Sequence, residues 1–210
     1  MTTKVRLSHQ PTAEPFAQAA AVLAADGIVA YPTDTLYALG VDPRRNDAVE
    51  ALCDMKERGA GAGLPLIAGS LEQVEASLGP LSALGRQLAE RWWPGPLTLV
   101  YSPAVLLAEA VHAPDGSLAV RVPASEAARM LAVALGHPVT STSANRRGAR
   151  PAQDADALAR ELGPEIRLLL EHPTPLEGAP STIVDVRTEA PTLLRAGSVP
   201  WERVLQSTRA

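Results

Sequence analysis

Several short stretches of this chain set small hydroxyl or amide side chains beside isolated charges: Thr33, Asp34 and Thr35; Lys56 and Arg58; Ser117 and Arg121; Ser141, Thr142, Ser143 and Asn145; Ser181 and Thr182; and Arg195. Hydroxyls and an Asn amide can satisfy phosphate, ribose and carboxylate oxygens, and Lys and Arg add the charge-assisted bonds that a triphosphate requires. Such a set suits nucleotide binding. The usual nucleotide and hydrolase templates are absent from the sequence: it holds no GxxxxGK[ST] phosphate loop, no GxGxxG fingerprint and no GxSxG elbow. His9, His112, His137 and His172 lack metal-ligand spacing, and Cys53 is the only cysteine, so a structural zinc site is not expected. Any metal is expected to arrive with a nucleotide, as magnesium.

Taken singly, each stretch has an ordinary structural reading. Lys56 and Arg58 fall where a helix should end and can complement its dipole, an effect of about 0.3–1 kcal/mol. Thr33 and Thr35 suit a turn, and Ser143 with Asn145 suits a hydrogen-bonded loop. Arg146, Arg147 and Arg150 suit a solvated loop as well as a binding patch. Trp92 and Trp93, just before Pro94, suit the anchoring of a helix end in the core.

The elements that must position these residues follow from periodicity. Phe16, Ala19, Ala20 and Leu23 recur at helical spacing, which predicts a helix over Thr12 to Asp26 with Thr12 as N-cap and Gly27 after its end, followed by a strand at IVAY. YPTDT reads as a loop, and a second helix starts at Asn46 with Val49, Leu52 and Cys53 on one face. Further strands are predicted at Pro65 to Ala68, Leu97 to Tyr101, Leu118 to Val122, Pro138 to Thr140, Ile166 to Leu170, Thr182 to Val186 and Thr192 to Leu194. Helices are predicted at Leu71 to Ser77, Ser82 to Trp92, Glu126 to Leu135 and Asp154 to Leu162, with STSANRRGARP as a loop. The class is α/β with a mixed sheet, and open sheets of this class bind ligands in loops at strand ends. No repeat or linker divides the chain, so one domain over residues 1–210 is expected.

Composition narrows the function. With 46% hydrophobic and 20% charged residues the chain is of ordinary globular composition, and at 3% aromatic it is poor in stacking platforms for single-stranded nucleic acid. A formal charge of -4 gives no general attraction to polyanions, so any phosphate site must be a local cluster of Arg and Lys. A lone cysteine fits a reducing compartment, and neither a signal peptide nor a membrane-spanning run of ~20 apolar residues is evident, so the expected location is cytoplasmic, away from membranes.

Read in order, the blocks IVAYPTDTLYALGVDP, MKER with LPLI, WWPGPLTLV, LAVRVP, PVTSTSAN, PSTIVDV and LLRAGSV resemble the YrdC-like threonylcarbamoyl-AMP synthases, in their short single-domain type. The resemblance runs from about Gly27 to Val199. It departs from the family pattern at Ala38, where Gly is usual, at Gly59, where Pro is usual, and at Arg147, where Ser is common.

The resemblance implies a twisted α/β sheet around a basic concave cavity, and the conversion of L-threonine, bicarbonate and ATP to threonylcarbamoyl-AMP and pyrophosphate for transfer RNA modification. It implies that Lys56 and Arg58 bind phosphates and act in catalysis, with Ser117, Thr142, Ser143, Asn145 and Arg195 as further nucleotide contacts. Thr35, Arg121, Ser141 and Ser181, with Thr33 beside them, would form the threonine site. Separate threonylcarbamoyl-transfer proteins would act as partners. The GAGAG stretch after Arg58 reads as a mobile lid over the phosphates or, equally, as a flexible surface loop. Two rival readings stand beside this one. The first is an RNA-binding module, for tRNA or double-stranded RNA, that rests on Arg146, Arg147 and Arg150. The second is a carbamoyl-transfer enzyme of hydrogenase maturation, which resembles the chain in one domain only.

Overall fold

The computed structural model describes residues 2–34, 36–57, 63–146, 148–149, 154–174, 176 and 178–208. The strands are β1 (Thr3–Arg6), β2 (Val29–Pro32), β3 (Tyr37–Gly40), β4 (Leu66–Ile67), β5 (Leu97–Tyr101), β6 (Leu118–Arg121), β7 (Val139–Thr140), β8 (Thr142–Ser143), β9 (Leu168–Glu171), β10 (Thr182–Asp185) and β11 (Thr192–Arg195). The helices are α1 (Glu14–Ala24), α2 (Asn46–Met55), α3 (Leu71–Leu78), α4 (Ala83–Trp92), α5 (Glu126–Leu135), α6 (Ala155–Leu162) and α7 (Trp201–Ser207).

The α/β class expected from the sequence holds, with the strands divided between two mixed sheets. The first has the order β1-β9-β2-β3-β8 and the second β11-β10-β5-β6-β4-β7. Strand alternation explains how the first sheet is covered on both faces. Val29 and Tyr31 of β2, Ala38 of β3, and Leu168 and Leu170 of β9 pack with Phe16, Ala19 and Leu23 of α1 and with Ala128 and Leu131 of α5. The intervening residues Ala30, Tyr37, Leu39 and Leu169 join the larger core on the opposite face. Thr12 is not the cap of α1. The N-cap is Ala13, which makes no side-chain cap bond, and the helix gives way to Asp26 at a positive φ of 61 before Gly27 is reached. By contrast Ser70, Ser82, Ser125 and Asp154 cap α3, α4, α5 and α6 through side-chain oxygens, as residues of these types do.

The two sheets are joined where β3 passes β7. Thr140 Oγ1 accepts from Val41 N at 2.8 Å and donates to Val41 O at 3.2 Å, and Tyr31 Oη donates to Thr140 O at 2.8 Å. The approach is so close that a Cβ on Gly40 would stand 2.8 Å from the Tyr31 ring and 2.9 Å from Thr140 O, so glycine is required there. Beyond Thr140 the chain leaves the second sheet, and at Thr142 it enters the first as β8, paired with β3. Ser141 is the crossing residue. Thr140→Val keeps the volume of this fully buried side chain but leaves the Val41 amide unpaired, so it is expected to destabilise the fold by about 1–3 kcal/mol in urea unfolding, with the slope unchanged.

Among the described residues no helix is long and apolar enough to cross a membrane. Trp92 and Trp93 are half-buried and pack against the larger core, as does Cys53.

Candidate active site

A cavity of 780 Å³ lies between the two sheets. Its wall on the second sheet is built by alternation, because Thr98 and Val100 of β5, Ala119 and Arg121 of β6, and Ile183 of β10 line it while Leu97, Leu99, Leu118, Val120 and Val184 turn to the core. The registers place Thr98 beside Ile183, Val100 beside Ala119, Ile183 beside Arg195 and Ile67 beside Arg121, so the lining residues form a continuous surface. The opposite wall comes from Tyr37 and Ala38 of β3 and from Thr142 and Ser143 of β8. Ser141 lines the seam.

The structure brings together on this lining Thr33, Ser117, Arg121, Ser141, Thr142, Ser143, Ser181 and Arg195 from five separated stretches of sequence. Lys56 and Asn145 stand just behind it. Lys56, at the C-terminal end of α2, is buried, and its Nζ donates to Ser143 O at 2.7 Å, to Asn145 Oδ1 at 2.8 Å and to Asn145 O. Asn145 Oδ1 also accepts from Ser143 Oγ at 2.6 Å, and its amide donates to Ala149 O at 2.6 Å and to Arg146 O at 3.0 Å. The lysine therefore clamps the loop after β8 to the end of α2. Thr35 and Arg58 lie outside the described residues, as do Gly59, Arg147 and Arg150. Of the glycine-rich stretch only Gly63 is described; it lines the cavity.

Among the described residues three guanidinium groups reach the lining, and each is held differently. Arg121 Nη1 donates to Asp34 Oδ1 at 2.7 Å, with side-chain exposures of 7% and 15%. Arg195 donates to Ser181 O at 2.8 and 3.2 Å and to Ser181 Oγ at 3.1 Å. Desolvation along the wall, and then the like charge of Arg121, pull the Arg195 guanidinium below its ordinary value; the opposite charge of a bound anion would act against both. Arg187 forks onto Asp185 and also pairs with Asp115 at 2.5 Å. Hydrogen bonds from Ser117, and then from Arg187, hold the Asp115 carboxyl well below the usual carboxylate range.

Arg187, Asp115 and Thr98 were not singled out by sequence reasoning. Thr98 Oγ1 meets Ser181 Oγ at 2.9 Å, and its sequence signal is a lone polar residue at cavity parity in the buried strand LTLVY. Arg187 and Asp115 flank strand ends without a distinguishing pattern. A further unassigned residue is Gly197, where a Cβ would stand 2.4 Å from Pro180 O and 2.5 Å from Thr182 N. The segment after β11 is thus laid directly on the backbone of Ser181, and Thr182 Oγ1 completes the joint by donating to Val199 O at 2.7 Å. Arg146 of the basic loop pairs with Glu165 at 2.5 Å.

A hydroxyl-lined cavity between two mixed sheets that carries guanidinium groups offers the donors that a small anionic ligand requires. The chain belongs to the Sua5/YciO/YrdC family, whose model, described as telomere recombination, matches residues 21–197. It is 37% identical over 170 residues to the threonylcarbamoyl-AMP synthase of Nitrosococcus oceani, covering 81% of this chain and 92% of that protein. It is 39% identical over 175 residues to the threonylcarbamoyl-AMP synthase of Halorhodospira halophila, covering 79% and 92%. The crystal structure of P. abyssi Sua5 complexed with L-threonine superposes with a TM-score of 0.88 at 29% identity, over 99% of this chain. The chain spans 60% of that protein's length.

Proposed function

We propose that this chain is an L-threonylcarbamoyladenylate synthase, a nucleotidyltransferase that converts L-threonine, bicarbonate and ATP to threonylcarbamoyl-AMP and pyrophosphate for the modification of transfer RNA. The observation that carries the reading is the convergence of Ser117, Arg121, Ser141, Thr142, Ser143, Ser181 and Arg195 on one cavity between the sheets, in a chain whose relatives at 37% and 39% identity bear that name.

In this reading the deprotonated threonine amine adds to carbon dioxide, or combines with bicarbonate with loss of water, to give a carbamate. A carbamate oxygen attacks the α-phosphorus of ATP, and pyrophosphate leaves. The Arg121 guanidinium takes the threonine carboxylate, near Thr33, Thr35, Ser141 and Ser181, and so aligns the carbamate. Ser117, Thr142, Ser143, Asn145 and Arg195 hold the nucleotide. Lys56 and Arg58 offset charge on the phosphates, as preorganised cations do in other phosphoryl and nucleotidyl transfers. For Lys56 this entails exchanging oxygens of the loop after β8 for phosphate oxygens. The carbamate and the mixed anhydride are both labile in water, which gives a recessed cavity its purpose.

Among the described residues no group of three or more His, Cys, Asp or Glu side chains could hold a metal. Magnesium carried by ATP binds through phosphates with one or two carboxylates, and Asp115 is the carboxylate among the described residues of the lining. The ion would supply charge neutralisation on the triphosphate. Transfer of the threonylcarbamoyl group to tRNA is assigned to separate proteins, and a chain with a single cysteine, Cys53, fits a cytoplasmic location.

Pyrophosphate release by the purified protein is expected to require threonine and bicarbonate together, since the attacking group exists only after both combine. The measurement is pyrophosphate release with each component omitted in turn, with the adenylate sought by mass spectrometry. Equal release without either one would overturn the reaction.

A further inference from the structure

Asp34 does not line the cavity between the sheets. It lines a second, smaller cavity of 410 Å³, together with His9, Ser125, Glu126 and His172, and among the described residues only Thr33 is common to the two. Its Oδ1 accepts from Arg121 Nη1 at 2.7 Å, and its Oδ2 faces the Ala124 amide at 3.4 Å. The ion pair therefore crosses from the turn after β2, in the first sheet, to the last residue of β6, in the second.

The turn that carries Asp34 is closed on itself. Thr33 N and Thr33 Oγ1 both donate to Leu36 O, at 3.1 and 2.6 Å, and Leu36 N donates back to Thr33 Oγ1 at 3.1 Å. The segment after β6 is docked on the same region, with Ser125 Oγ donating to Pro32 O at 3.2 Å. Among the described residues no other carboxylate forms an ion pair with Arg121. An unbridged arginine samples many rotamers, whereas a guanidinium gripped at one nitrogen by a fixed carboxylate keeps the rest of its fork in one orientation.

We propose that Asp34 is a positioning residue, which holds the Arg121 guanidinium from outside the substrate cavity so that its remaining donors meet the carboxylate of the amino-acid substrate. The inference rests on the functional reading above, in which Arg121 takes that carboxylate. Asp34 itself touches no substrate, so its effect must pass through Arg121 and fall on threonine rather than on ATP.

A double-mutant cycle in threonine-dependent pyrophosphate release tests this, because kcat/KM for threonine can be read from the initial slope even where saturation is out of reach. With Arg121 present, Asp34→Asn is expected to lower kcat/KM for threonine by about tenfold, the scale of a modest misplacement of a binding group, and to leave KM for ATP within about twofold. In an Arg121→Ala background the same substitution is expected to change kcat/KM for threonine by less than about twofold. Asp34→Glu, which keeps the charge at a longer reach, is expected to recover part of the loss. Equal losses in the two backgrounds, or a parallel rise in KM for ATP, would show Asp34 to be structural and overturn the proposal. If Asp34→Asn does not fold, Asp34→Glu runs through the same cycle; if neither folds, the role is structural and the proposal falls. A wild-type protein without threonine-dependent release would instead overturn the functional reading and this inference with it, whereas an active wild type with an unaffected Asp34→Asn removes only the role of Asp34.

Discussion

Replacing Arg121 by alanine is expected to lower threonine affinity by roughly one to two decades, the equivalent of the 1.5–3 kcal/mol lost with a charge-assisted bond, while ATP affinity changes far less. Arg121 lies at the end of β6 on the cavity wall. Its removal also leaves the Asp34 carboxylate, 15% exposed, without the counter-charge that now sits 2.7 Å away. Breaking a buried pair from one side costs about 3–5 kcal/mol, so the variant should unfold at a clearly lower temperature as well. Adding Asp34→Asn should restore part of that stability without restoring threonine binding. Arg121→Lys keeps the charge and loses the planar fork, which predicts partial rescue of both properties. Arg58→Ala, by its assignment to the triphosphate, should show the opposite ligand pattern. Calorimetric titration of each ligand into each variant, with thermal unfolding alongside, makes the comparison. If Arg58→Ala and Arg121→Ala, both folded, lost the two ligands equally, the assignment of separate pockets would fail.

The second large effect is expected at Lys56. Its ammonium joins the end of α2 to oxygens of Ser143 and Asn145, residues more than eighty positions away in the chain. Lys56→Ala removes a cation assigned to the phosphates and also unfastens the end of β8 at Ser143 and the loop that carries Asn145. Turnover is expected to fall by about 10²–10³, the scale of losing one preorganised charge-stabilising group, and KM for ATP should rise with it. Lys56→Met preserves the buried stem and removes only the charge, so the turnover it loses measures the electrostatic part, and the further loss in alanine measures the clamp. Steady-state pyrophosphate release over a range of ATP concentrations separates the two. Turnover within a few-fold of wild type in Lys56→Ala would rule out a role for the ammonium in the chemical step.

Several elements were legible because their signals are local. The spans of β5 and α5 agree with the alternation of LTLVY and the helical spacing of EAARMLAVAL, and the serine before α5 caps it. β1 and β3 were not found. Thr3–Arg6 is an edge strand with little burial, and Tyr37–Gly40 is buried on both faces, so neither shows the half-buried alternation by which a strand is recognised. β8, two residues long, exists only through its pairing with β3, which no local window contains. α7 is short and begins after Pro200 without a side-chain cap.

The sequence by itself determined the α/β class, most of the helices and the inventory of hydroxyls and cations, because residue type, spacing and capping act over a few neighbouring positions. Ordered motifs added the family. Only the tertiary structure decided that the strands form two sheets joined at Thr140 and Val41, that Ser141 lies at the crossing, and that one parity of β5, β6 and β10 faces a cavity while the other faces the core. It alone set Asp34 behind Arg121 and the Lys56 ammonium against Asn145. These facts depend on strand register and on pairs of residues 87 and 89 positions apart, and side-chain contacts at such separations leave no periodicity in the chain from which they could be read.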